Sequence, residues 1–179
     1  MNMTFLTRGS LALLVPFALS SAAQAQEKNP AEQPMLLGQF DKWGAYKAAP
    51  GGKKVCFALS KPTAAVIDPA NKKRDPSYAF ISTRPSEKVK NEISVIVGYE
   101  QKSGHDATAT IGNANYVLST QKDNAWVKNV AEEPKMIDAM RKGSEFVVKS
   151  ESHSGAKTTD TYSLKGLAEA LTKVAEECK

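Results

Sequence analysis

Apolar and polar positions in this chain repeat with two periods. Val55, Phe57 and Leu59 alternate with Cys56, Ala58 and Ser60. Ile93, Val95, Val97 and Tyr99 share one side of a stretch whose other side holds Ile96. A repeat of two is that of a β-strand. The same reading predicts strands over 40–48, 77–84, 107–112, 115–120, 144–152 and 157–163, with a short one through Trp126. Both sides of the Cys56 stretch are apolar, which predicts a strand covered on both faces. The Asn91 to Tyr99 stretch is the candidate central strand. Turn residues at 49–54, Asn113–Ala114 and Ser154–Gly155 predict hairpins. The span 61–76 holds three prolines and a run of cations, Lys72, Lys73 and Arg74, and reads as a long surface loop.

The second period is helical. Leu164, Leu167, Ala168, Leu171, Val174, Ala175 and Cys178 fall at i, i+3, i+4, i+7, i+10, i+11 and i+14. Ser163 is the expected N-cap. A shorter helix is predicted over 132–143, with Glu132, Glu133 and Pro134 at its start and Arg141, Lys142 and Gly143 at its end. Roughly seven to nine short strands and two helices follow. The expected fold is mainly β within the α+β class: one antiparallel sandwich-like or barrel-like domain over 37–179, with a short helix and a C-terminal helix packed on it.

The N-terminus reads as a processing signal. Arg8 precedes the apolar run Leu11 to Ser20, which Pro16 interrupts, and Ala23-Gln24-Ala25 fits a small-x-small cleavage site. Residues 1–25 are the expected signal peptide, cut near Ala25/Gln26, and 26–36 a flexible leader. No later apolar run approaches the about 20 residues of a membrane helix. A periplasmic or secreted protein is expected. Its two cysteines, Cys56 on a strand and Cys178 on the helix stripe, are then most simply one disulfide. The competing reading is two free thiols for metal or redox chemistry, against which stands the lack of a Cys-x-x-Cys spacing.

Charge narrows the partners. The formal net charge is +5, and the signal peptide carries one of those cations. Peripheral contact with anionic surfaces fits, whereas nucleic acid does not fit an exported chain of modest charge. Lys72, Lys73, Arg74, Arg84, Lys88 and Lys90 form a candidate patch for an anionic partner, beside the plainer reading of a solvated surface. Trp43 and Trp126 with Tyr46, Tyr78, Tyr99, Tyr116 and Tyr162 could line a groove or simply pack in the core and on sheet faces. His105 and His153 both fall in expected loops, and Asp106 follows the first. No nucleophile elbow accompanies them, no metal-ligand spacing is present, and the glycines of PGGKK lack the spacing of a phosphate loop. Glu132–Glu133 and Glu176–Glu177 read as helix-end charges, the second pair simply solvated. No catalytic, cofactor-binding or metal-ligating set is expected.

Four stretches carry a resemblance: WGAYKAAPGGKKVCFALS, YAFISTRPSEKVKNEISVIVGY, AWVKNVAEEPKMIDAMRKGSEFVVKSES and TTDTYSLKGLAEALTKVAEEC. Together they resemble the invasion-associated locus B family of exported alphaproteobacterial proteins, over nearly all of the chain after the signal. The resemblance implies a periplasmic or secreted β-rich domain, a link to host-cell invasion that gives the family its name, and no catalytic residue to carry over. Many members carry a further cysteine shortly before the one matching Cys56; WGAYKA has none. The expected function is that of a non-enzymatic exported protein that binds an envelope component or partner protein, with a link to host interaction or envelope stress. The alternatives are a periplasmic hydrolase centred on a histidine, and a chaperone-like stress factor.

Overall fold

The computed structural model describes residues 32–179. The expected signal peptide and residues 26–31 of the leader lie outside the described residues. Eleven strands form one antiparallel sheet: β1 (Met35–Phe40), β2 (Trp43–Ala48), β3 (Val55–Ser60), β4 (Ala64–Asp68), β5 (Tyr78–Arg84), β6 (Val89–Ile96), β7 (Ala107–Ile111), β8 (Ala114–Gln121), β9 (Asn124–Val127), β10 (Glu145–Glu151) and β11 (Lys157–Ser163). Two helices complete it, α1 (Glu133–Lys142) between β9 and β10 and α2 (Leu167–Glu177) at the end. Their order across the sheet is β1-β2-β3-β5-β6-β9-β8-β7-β10-β11-β4, so the sheet is open, with β1 and β4 at its edges. The expected class holds: mainly antiparallel β, sandwich-like, with both helices packed on the inner face.

One core fills that inner face. Ala45, Cys56, Ala58, Ile81, Ile93, Val95, Leu118, Phe146 and Tyr162 from the strands meet Met136 and Met140 of α1 and Leu167, Leu171 and Val174 of α2. α2 lies across β1, β2 and β3, and α1 lies against β6 and β7. Leu167, Ala170, Leu171 and Val174 of α2 are fully buried, and each large side chain among them adds about 1.5–3 kcal/mol to holding the helix down. Trp43 is fully buried too, and its indole N–H donates to the Ser163 carbonyl at 2.9 Å. That bond ties the start of β2 to the exit of β11.

The structure corrects several expectations. The predicted first strand begins at β2, while the chain before it doubles back as β1, which starts inside the expected leader. The span 61–76 contains β4, which leaves β3 and pairs with β11 at the far edge. β4 is exposed along most of its length, so burial leaves no alternating pattern there. β3 is covered on one face: Cys56, Ala58 and Ser60 are buried, whereas Val55, Phe57 and Leu59 are only half-buried. The helix stripe shifts slightly, with Ala170 buried and Ala175 exposed. Ser163 ends β11, and Gly166 caps α2. Gly166 has φ +89°, and a Cβ there would fall inside the Phe40 carbonyl, so the tight entry into α2 needs glycine.

Cys56 and Cys178 are disulfide-bonded, with Cα atoms 5.9 Å apart and a sequence separation of 122. Glu177 beside them is not merely solvated. It pairs with Lys47 of β2 at 2.9 Å, and the Lys54 ammonium donates to its carbonyl at 2.8 Å. Lys47 holds the Glu177 carboxyl below its ordinary range, chiefly through that hydrogen bond. The C-terminus of α2 is thus fixed by one covalent and two polar contacts.

Candidate functional site

The outer face of the sheet faces away from both helices. Cross-strand register sets its rows. Gly44, Leu59, Phe80, Ser94, Trp126 and Ser119 lie side by side across six strands, from β2 to β8. Next to this row, Tyr46, Phe57, Ser82 and Glu92 form a second. The rings make a ladder: Tyr46 stacks on Phe57 at 5.4 Å between centroids, Phe57 meets Phe80 at 5.8 Å, and Phe80 meets Tyr78 at 6.2 Å. Lys61 stands 5.7 Å over the Tyr78 ring. The two cross-strand pairs among these, Tyr46–Phe57 and Phe57–Phe80, stabilise the sheet by up to about 1 kcal/mol each, yet all four rings stay half-buried. A cleft of about 680 Å³ adjoins the ladder, lined by Tyr46, Gly44 and Leu59 on one side and by Gln39, Asp41, Lys42 and Lys61 on the other. A Cβ on Gly44 would press the Tyr46 ring at 2.6 Å, so the missing side chain gives that ring its place.

A second polar feature lies near the β4 edge. Arg74, in the loop between β4 and β5, turns inward and forms a two-pronged ion pair with Asp160 of β11, one prong at 2.7 Å from Nη1 to Oδ2. Nη1 also donates to the Val97 carbonyl at 2.8 Å. The two side chains are 7% and 1% exposed. This loop can lie on the sheet because Gly98 has φ +78°, and its missing side chain leaves room for the Asp75 backbone, whose N–H donates to the Gly98 carbonyl at 2.9 Å. Tyr162 packs nearby, and burial, with the Asp160 charge adding to it, pushes its phenol above the ordinary range.

The six cations read as one patch are divided. Arg74 is committed to Asp160. Arg84 is held by Glu87 at 2.6 Å and Glu92 at 2.8 Å. Lys88 and Lys90 are exposed at a cleft of about 610 Å³ with Val130 and Glu133, while Lys72 and Lys73 line a different one with Tyr99 and Thr158. Glu133 is part of the helix attachment: it accepts the Ile93 N–H of β6 at 3.1 Å, and burial raises its carboxyl above the ordinary range.

The family description that matches this chain is "Invasion associated locus B (IalB) protein", and the match covers residues 47–175. The chain belongs to this family. No curated protein and no solved structure matches it. The locus B match runs from the end of β2 into α2; it takes in Phe57, Tyr78 and Phe80 of the outer ladder, the Arg74 loop and Cys56, begins one residue after Tyr46, and ends just short of Cys178. Within this locus B chain, the histidines stand apart. His105 is exposed, and its ring contacts the Ser103 carbonyl at 3.3 Å. Asp106 pairs with Lys128 at 2.7 Å rather than with that ring. His153 is exposed as well. Among the described residues no cluster of three or more His, Cys, Asp or Glu side chains suits a metal, and no helix is long and apolar enough to cross a membrane.

The seven Trp and Tyr residues separate by face. Trp43, Tyr116 and Tyr162 are core; Tyr46, Tyr78 and Trp126 belong to the outer face; Tyr99 reaches Thr158 at 2.6 Å. Phe57 and Phe80, which the sequence reading left as ordinary strand residues, complete the ladder. Period-two spacing places Phe57 on the side of β3 opposite Cys56, but Phe80, on β5, reaches the same face and the same neighbours through strand register alone.

Proposed function

We propose that this protein is a non-enzymatic, exported binding protein, periplasmic or secreted, that engages an envelope component or partner protein through the outer face of its sheet. The observation that carries the reading is the aromatic ladder Tyr46–Phe57–Phe80–Tyr78 beside the large cleft, on the face that neither helix covers. Aromatic side chains in such a position offer large contact area at small entropic cost. The disulfide supports export, because such bonds persist in oxidising compartments.

A Tyr46→Ser/Phe57→Ser variant tests this reading in a crosslinked pulldown from envelope extract, read by mass spectrometry. Recovery of partners should fall at least about tenfold, because central aromatic contacts carry much of the energy of an interface. Recovery equal to the parent, from a variant with a native circular dichroism spectrum, removes the outer face from the proposal. Charge reversal is informative only at Lys72 and Lys73, since reversal at Arg74 would break a buried pair.

A further inference from the structure

The loop holding Arg74 also shapes a small cleft of about 70 Å³, on the β4–β11 side of the molecule. Its walls include Lys72, Lys73 and Arg74 from the loop and Tyr99, Ser152, Ser154 and Thr158 from the chain beneath it. We infer that this cleft is a phosphate site, made to take a phosphoryl group through Lys72, Lys73, Arg74 and two hydroxyl pairs.

The donor inventory carries the inference. A guanidinium has five N–H donors, and Asp160 with the Val97 carbonyl uses three of those on Arg74. Two stay without a protein acceptor among the described residues, on a side chain more than nine-tenths buried and fixed in place. The hydroxyls add two more. Ser152 Oγ accepts the Ala156 N–H at 3.0 Å and lies 3.1 Å from Ser154 Oγ. Tyr99 OH lies 2.6 Å from Thr158 Oγ1. Each pair consumes one O–H in its own hydrogen bond and leaves one to offer. Two ammonium groups, Lys72 and Lys73, complete a set of donors on a net positive site, since Asp160 cancels Arg74 alone.

Such a set outnumbers what a carboxylate can accept with two oxygens. It suits a phosphoryl group, with three strong acceptor oxygens and close to two negative charges. The small volume admits the group itself and leaves whatever carries it outside. Free phosphate and the phosphate of a lipid headgroup share this chemistry. The site is separate from the outer ladder and does not rest on it.

The test is a nuclear magnetic resonance titration of the purified chain with inorganic phosphate, against sodium chloride at equal ionic strength. Phosphate should give saturable amide shifts at residues 72–74 and 152–158, and Lys72→Gln/Lys73→Gln should weaken binding by about tenfold at an unchanged melting temperature. The Tyr46→Ser/Phe57→Ser variant should bind phosphate as the parent does, which separates this site from the outer-face reading. Non-saturable shifts, equal shifts in chloride, or full affinity in the double lysine variant would overturn the inference. Flotation with phosphatidic acid vesicles, compared with phosphatidylcholine vesicles, then identifies the source. Retention that free phosphate displaces and the lysine variant lacks identifies a headgroup; saturable phosphate binding with no retention identifies the free anion.

Discussion

Replacing both cysteines, as Cys56→Ala/Cys178→Ala, should lower the unfolding midpoint by roughly 5–15 °C. The bond closes a loop of 122 residues, for which the chain-entropy description gives about 5 kcal/mol and measured disulfides more often about 2–4 kcal/mol. The lower figure suits this chain, because α2 keeps other attachments. Leu167, Leu171 and Val174 remain buried, and Glu177 still reaches Lys47 and Lys54. The loss should therefore appear as global destabilisation with α2 still docked at room temperature. Thermal and urea unfolding of parent and variant measure it. A loss below about 0.5 kcal/mol would mean that the buried stripe alone holds the helix.

Asp160→Ala should be as damaging, at about 3–5 kcal/mol, because it strands the Arg74 cation in a buried site. The pair, not either member, is what the interior tolerates. Arg74→Met/Asp160→Leu should therefore recover most of the loss, and a double-mutant cycle in urea would read the coupling. The single variant should also release the loop over Gly98. If Asp160→Ala is as stable as the parent, the Arg74 cation does not need its carboxylate partner, and the pair's low exposure does not carry the cost assigned to it.

The strands and the terminal stripe were legible because each is a local repeat. Ile93 and Val95 fill one side of β6 and Val97 continues it just past the strand's end, as their spacing requires, and Leu167, Leu171 and Val174 fill one side of α2. β4 was not legible, since Ala64 to Asp68 at an exposed edge bury almost nothing and leave no alternation to read. Arg74 escaped for another reason. Its neighbours Lys72 and Lys73 are exposed cations, and nothing local distinguishes the one that meets Asp160, 86 residues later in the chain. The ladder depended on register as well: Tyr46, Phe57 and Phe80 come from three strands, and only pairing brings their rings together.

An outer face left open to a partner, while α1, α2 and the disulfide close the inner one, is tested most directly by photo-crosslinking in intact cells. A benzoylphenylalanine in place of Phe57, on the ladder, is compared with one in place of Glu169, exposed on α2. The expected result is a discrete adduct from the first position and none from the second. Absence of an adduct at the ladder, or the same adducts from both positions, would contradict it.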